Sequence, residues 1–221
     1  MQPSPHAPAA ALCLVLLAST AALAAPPLPA RVEELCAQAE GPAHCGRLLE
    51  AEQLKAFPNL AARSGDTLKV LLFPSGTRDL VDVDTIHGPR TYALWDYWSR
   101  ANAVVLFRYD IDHIAFAVLQ RVNGQLTALP AEPVLSPDGR QFALASFCAQ
   151  GCDNEISIWR IARDGIRKEQ AWRPGEAWTD TTVTWKDTDV LGVEFTPKGA
   201  DKSSTRERRL SDPGWLRVET R

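Results

Sequence analysis

The chain has 221 residues, a formal net charge of -3 and an ordinary globular composition, 45% hydrophobic and 23% charged. So slight a charge excludes capture of nucleic acid or another polyanion by the field of the whole molecule. The length suits one domain, or one domain with a small appendage, and allows a core that stands without covalent staples.

Residues 1–25 read as a signal peptide. They contain no Asp, Glu, Lys or Arg, their centre is Leu12-Cys13-Leu14-Val15-Leu16-Leu17, and they run into Ala22-Leu23-Ala24, the small-x-small pattern of a cleavage site. A retained membrane anchor is the competing reading of so apolar a stretch. Pro3, Pro5 and Pro8, with Pro26-Pro27 just beyond, favour cleavage instead. Cys13 lies inside the apolar run, so it does not resemble a lipoprotein acceptor. The mature product is expected to be periplasmic or secreted, with no stable membrane insertion after cleavage.

Export changes how the cysteines are read. Cys36, Cys45, Cys148 and Cys152 become disulfide candidates, with three possible connectivities. Proximity favours Cys36–Cys45 and Cys148–Cys152, short loops worth about 2–3 kcal/mol each in the chain-entropy view. A metal held by Cys36, His44 and Cys45 matches no common zinc spacing.

Residues 26–65 predict a short helical hairpin. Val32, Leu35, Cys36 and Ala39 form an apolar stripe at helical spacing. Gly41-Pro42 breaks the helix, and a second helix follows with Leu48, Leu49, Leu54 and Phe57 as its expected buried positions. The first disulfide would clamp the two helices across the turn.

Residues 66–221 predict an antiparallel β domain. Strand candidates are Leu68–Phe73, Val104–Tyr109, Ile114–Arg121, Gln141–Phe147, Glu155–Ile161, Val190–Phe195 and Trp215–Glu219, each rich in β-branched or aromatic residues and bounded by turn signals. Asn123-Gly124, Ser136-Pro137-Asp138-Gly139, Asp164-Gly165 and Pro174-Gly175 supply the turns. The hairpin around Asn123-Gly124 and the hairpin around Asp164-Gly165 are each followed by a second hairpin, Val134–Leu144 and Val183–Val193. A poorer copy lies at Ser99–Phe107. A period of roughly 40–50 residues with four strands per unit marks propeller blades.

Val134-Leu135-Ser136-Pro137-Asp138-Gly139-Arg140-Gln141-Phe142-Ala143 resembles the repeat of bacterial periplasmic propellers related to WD-repeat proteins. Glu155-Ile156-Ser157-Ile158-Trp159-Arg160 resembles the strand that follows it there. The resemblance implies that Ser-Pro-Asp-Gly joins the first two strands of a blade, and that the protein binds other proteins. It brings no catalytic residue. At about 45 residues per blade, the stretch beyond Asp66 falls short of the usual minimum of four. The expected fold is therefore mainly β, with antiparallel propeller-like or sandwich sheets behind the helical hairpin.

Catalytic signatures are missing: no Gly-x-Ser-x-Gly elbow, no Ser-x-x-Lys, no His-Glu-x-x-His. Two acidic clusters stand out, Asp79, Asp82 and Asp84, and Tyr109-Asp110-Ile111-Asp112-His113. Asp82 and Asp84 would share one face of a strand. Neither cluster matches an established calcium loop, and turn-capping aspartates account for both. Most of the seven tryptophans suit a β core, with Trp95 and Trp98 the better candidates for an exposed binding surface. The basic stretch from Lys198 to Arg209 reads as a solvated loop and a strand with outward charges.

The binding residues expected are thus Trp95, Trp98, Asp110, Asp112 and His113, with no catalytic residue, metal or cofactor. The chain reads as an exported interaction module for an envelope or periplasmic protein, with an inhibitor or immunity protein as a special case. The alternative is an envelope glycan hydrolase drawing two carboxylates from Asp79, Asp82, Asp84, Asp110 and Asp112.

Overall fold

Proline opens both helices among the described residues. The computed structural model describes residues 26–111, 113–148 and 152–218, so the stretch read as a signal peptide and Asp112 lie outside the described residues. Helix α1 (Pro29–Cys36) and helix α2 (Pro42–Ala56) each begin with a proline in the first turn, where its missing N–H leaves no bond unmade. Cys36 and Cys45 form a disulfide across the break, with Cα atoms 4.7 Å apart. Arg31 adds an ion pair to Glu52. The helical hairpin is as expected, but α2 buries Gly46, Leu49, Glu50 and Gln53, while Leu48, Leu54 and Phe57 are only half-buried. At position 46 helix and sheet lie close together. A Cβ there would stand 2.8 Å from the Phe107 ring.

Four antiparallel sheets follow. The first comprises β1 (Ala61–Ser64), β2 (Thr67–Leu71) and β3 (Thr77–Val81), so strand structure starts ahead of Asp66. The second, in chain order, holds β4 (Val83–Thr85), β5 (Gly88–Trp98), β6 (Ala103–Asp110), β7 (His113–Gln120) and β8 (Leu126–Leu129). Strands β9 (Val134–Leu135), β10 (Gln141–Ser146), β11 (Glu155–Ala162) and β12 (Gly165–Trp172) make the third, and β13 (Trp178–Asp187), β14 (Val190–Pro197) and β15 (Ser204–Arg209) the fourth. The last strand, β16 (Leu216–Arg217), returns to the third sheet beside β12.

Most of this was legible, including the pairing of β7 with β8 around Asn123-Gly124 and of β11 with β12 around Asp164-Gly165. Ser136-Pro137-Asp138-Gly139 joins β9 to β10. Gly139 takes a φ of 73° and its N–H reaches Ser136 O at 2.9 Å, a positive angle that glycine adopts without steric cost. The one long element that sequence patterning missed is β5.

The second sheet divides two cores. Along β6, Val104 and Leu106 face one way, toward Leu68, Val70 and Leu80 of the first sheet, while Ala103, Val105 and Phe107 face α2 and the third sheet. This period-two alternation is what a strand buried on both faces requires. A third core lies between the third and fourth sheets, built on Ile156, Ile158, Trp172, Trp178, Leu191 and Phe195. Each side chain of this size, once buried, contributes about 1.5–3 kcal/mol. Cys148 and Cys152 form the second disulfide, with Cα atoms 5.9 Å apart, just after β10. No helix among the described residues is long and apolar enough to cross a membrane.

Candidate functional site

The second sheet is regular except at one point in β5. Leu94 lies opposite Leu106, but the next partner, Val105, faces Asp96, so Trp95 is an extra residue in the ladder. Such a β-bulge moves every later side chain to the other face of the strand. Trp95 points into the core shared with α2, and so does Trp98. Asp96, opposite Val105 of that same core, joins them. Without the bulge, strict alternation would send Asp96 to the opposite face from Trp95.

Trp95 and Trp98 are each 6% exposed. The expectation that they are surface tryptophans is therefore corrected. Trp95 packs edge-on against Phe116 at 5.4 Å and parallel to Phe107 at 6.1 Å, while Trp98 lies 5.4 Å from the Phe142 ring. Both indoles still reach a cleft of about 380 Å³ between the second and third sheets. Pro26 and the Ser136-Pro137 turn lie on its walls, with Asp96, Arg100 and Glu132.

The cleft holds two carboxyls without a salt-bridge partner among the described residues. Asp96 is only 4% exposed. Burial pushes its pKa up to about 6, against the pull of the Tyr97 N–H at 2.7 Å and the Trp98 side chain, and the charge of Glu132 pushes the same way. Glu132 sits in the loop between β8 and β9. The residue as a whole is solvent-exposed, yet its carboxyl is crowded by the cleft walls, and this crowding pushes its pKa up. The Trp95 indole Nε1–H opposes that by donating to its Oε1 at 2.9 Å. Arg100, the one basic residue in the wall, donates instead to the carbonyl of Pro137.

Of the other acidic candidates, Asp110 and Asp82 are committed elsewhere. Asp110 is held by Arg108 and by Arg90 at 3.2 Å. Burial works against its ionisation, but the two guanidiniums outweigh it and bring the carboxyl below the usual range. His113, its neighbour across the β6–β7 turn, is exposed. Asp82 sits in the break between β3 and β4, accepts the Tyr92 N–H at 2.9 Å and pairs with Arg47 and Arg63. It therefore does not share a strand face with Asp84, which is exposed on β4, as Asp79 is on β3. Among the described residues no cluster of three or more His, Cys, Asp and Glu side chains could hold a metal ion.

Sequence reasoning missed Asp96 and Glu132. The available signal was Leu94-Trp95-Asp96-Tyr97-Trp98, a carboxylate set among bulky apolar neighbours. No protein-family model matches the chain, and no curated protein sequence matches it.

Proposed function

We propose that the protein is an exported binding module of the periplasm or the cell exterior, which captures a polar group of an envelope protein in the Trp95–Glu132 cleft and does no chemistry of its own. The observation that carries this reading is Asp96: a buried carboxyl with no salt-bridge partner costs stability, and its place in the wall of a cleft that Trp95 and Trp98 also line gives it something to recognise. The two disulfides favour an oxidising compartment. The four consecutive meanders, with Ser-Pro-Asp-Gly joining the first two strands of the third sheet, favour a propeller-like kinship and hence protein binding, an argument from architecture. An inhibitor or immunity protein is the special case in which the partner is an envelope-acting enzyme.

The test is retention of envelope proteins on the immobilised mature chain, with the Asp96→Asn variant alongside. A partner held by the wild type and released by the variant supports the reading. Equal retention by both, or none by either, sinks it.

A second reading has its own observation. Burial pushes both Asp96 and Glu132 upward, and the charge of Glu132 adds to the rise at Asp96, the direction the acid of a glycosidase needs. On this reading the chain hydrolyses an envelope glycan with that pair rather than with the aspartates held by arginines. Purified peptidoglycan incubated with the wild type should then release soluble fragments, and Glu132→Gln should not. No release by the wild type ends this reading.

A further inference from the structure

We infer that the positive charge these two carboxyls lack is supplied by the chain's own amino terminus, created when the signal segment is removed. The inference rests on the export reading. Cleavage after Ala24 leaves an α-ammonium on Ala25, and cleavage after Ala25 leaves it on Pro26. Pro26 lies in the wall of the same cleft as Asp96 and Glu132. One residue spans at most about 3.6 Å, so neither cut sets the new charge more than one residue from that wall.

The local chain is built to hold it there. Only Pro27 and Leu28 separate Pro26 from α1, and Pro26, Pro27 and Pro29 each have a restricted backbone. Helix α1 is itself fixed to α2 by the Cys36–Cys45 disulfide and by the pairing of Arg31 with Glu52. The terminus therefore loses little freedom on meeting the carboxyls, and lost freedom is the usual cost of such a contact. Of the other ionisable groups in the wall, Arg100 is turned to Pro137 O, and the Tyr97 hydroxyl bonds with Asn102 and Arg121. Neither competes for Asp96 or Glu132.

In the uncut precursor the backbone at this point is a neutral peptide and the cleft is acidic. In the processed chain the terminus and the Arg100 guanidinium together match the two carboxyls. An external cation then finds its partners already matched, whereas a neutral group rich in hydrogen-bond donors and acceptors gains from all four charges. The ligand class assigned to the exported form is therefore a neutral polar one, an amide or polyol surface rather than an amine.

The protein is isolated from the periplasm, its first residue is read by terminal sequencing, and the α-amine is titrated by NMR after isotopic methylation. Opposite charge favours the charged form. The α-amine should titrate at least one unit above its ordinary value of about 8, and return to it in Asp96→Asn/Glu132→Gln. Should that double variant not fold, Gly-Ser added ahead of the native first residue moves the charge while leaving every side chain in place. It should restore ordinary titration of the amine and raise that of Asp96. An ordinary value in a wild-type chain that begins at Ala25 or Pro26 overturns the inference alone. A periplasmic chain still beginning at Met1 overturns the export reading and the inference together.

Discussion

Arg63 donates through Nε and Nη2 to both carboxylate oxygens of Glu50, at 2.8 and 2.7 Å, joining the first sheet to α2. Glu50 is 2% exposed and also accepts the Leu94 N–H at 3.0 Å. Arg63 in turn donates to the carbonyl of Tyr92. One buried ion pair thus ties helix, first sheet and β5 together. Breaking such a pair from one side strands a charge at a cost of about 3–5 kcal/mol. Arg47 also reaches Glu50 at 3.2 Å and Asp82 lies 3.7 Å from Arg63, so Arg63→Ala and Glu50→Ala should each lower unfolding stability by less than this, about 1.5–3 kcal/mol, in urea titrations. The double variant should lose clearly less than the sum of the two, since neither charge is then left alone.

Asp96 gives a pH dependence whose sign is fixed. With the terminus extended so that no ammonium enters the cleft, the folded protein holds its Asp96 proton to about pH 6, while the unfolded chain releases it near 3.8. The folded state binds more protons in between, so stability falls as pH rises from about 4 to 6 and stays lower above that. Asp96→Asn should remove this slope and raise the melting temperature at pH 7, a gain of up to about 3 kcal/mol. An unchanged slope in the variant would assign the effect to another group.

Trp95→Phe keeps an aromatic ring between Phe107 and Phe116 but deletes the donor to Glu132. Stability should drop by about 1 kcal/mol, the usual worth of one hydrogen bond, whereas Trp95→Ala should cost about 3–5 kcal/mol through the cavity it opens. The Glu132 carboxyl should titrate higher in both variants, because a bond that favours its charged form is gone. Carboxyl-resolved NMR reads this directly.

Gly46→Ala separates propensity from packing. In an open helix the change would help by roughly 1 kcal/mol. Here the added methyl meets the Phe107 ring at 2.8 and 2.9 Å, and forced overpacking costs about 1–3 kcal/mol. Net destabilisation by denaturant is expected, with Phe107→Leu restoring part of it.

On β15, the Arg208 guanidinium lies 4.0 Å over the Trp172 ring and 5.5 Å from that of Trp215. Arg208→Ala should lose about 1–2 kcal/mol from the lost cation–π contact and the packing of the stem. Exposed Arg209→Ala should change stability by less than about 0.5 kcal/mol. Thermal denaturation of the two variants side by side makes the comparison.

Sheets and turns were legible because they depend on local chemistry. Asn-Gly, Asp-Gly and Ser-Pro-Asp-Gly each dictate a backbone angle, and β-branched runs between them have little choice but to pair. The disulfide partners could be named for a similar reason, since short loops close easily. The candidate site was hidden because it depends on register. A single extra residue at Trp95 reverses which side chains share a face, and alternation read from sequence cannot show where the ladder slips. Burial of Glu50 was equally invisible, because its partners Arg63 and the Leu94 N–H come from other elements. The basic stretch on β15 was read as solvated, although Arg206 and Arg208 lie against aromatic rings. An isolated segment does not reveal that a charged head can rest on an indole three strands away.

The homecoming of β16 to the edge of β12 has a consequence for how the chain acquires its shape. As the polypeptide emerges amino end first, the first two sheets can each form from contiguous strands already delivered. The third cannot: its outermost rung arrives only after the entire fourth meander has passed. Loss of a handful of carboxy-terminal residues should therefore be felt not at the tail but in the middle of the molecule, on the strand that waits longest for its neighbour.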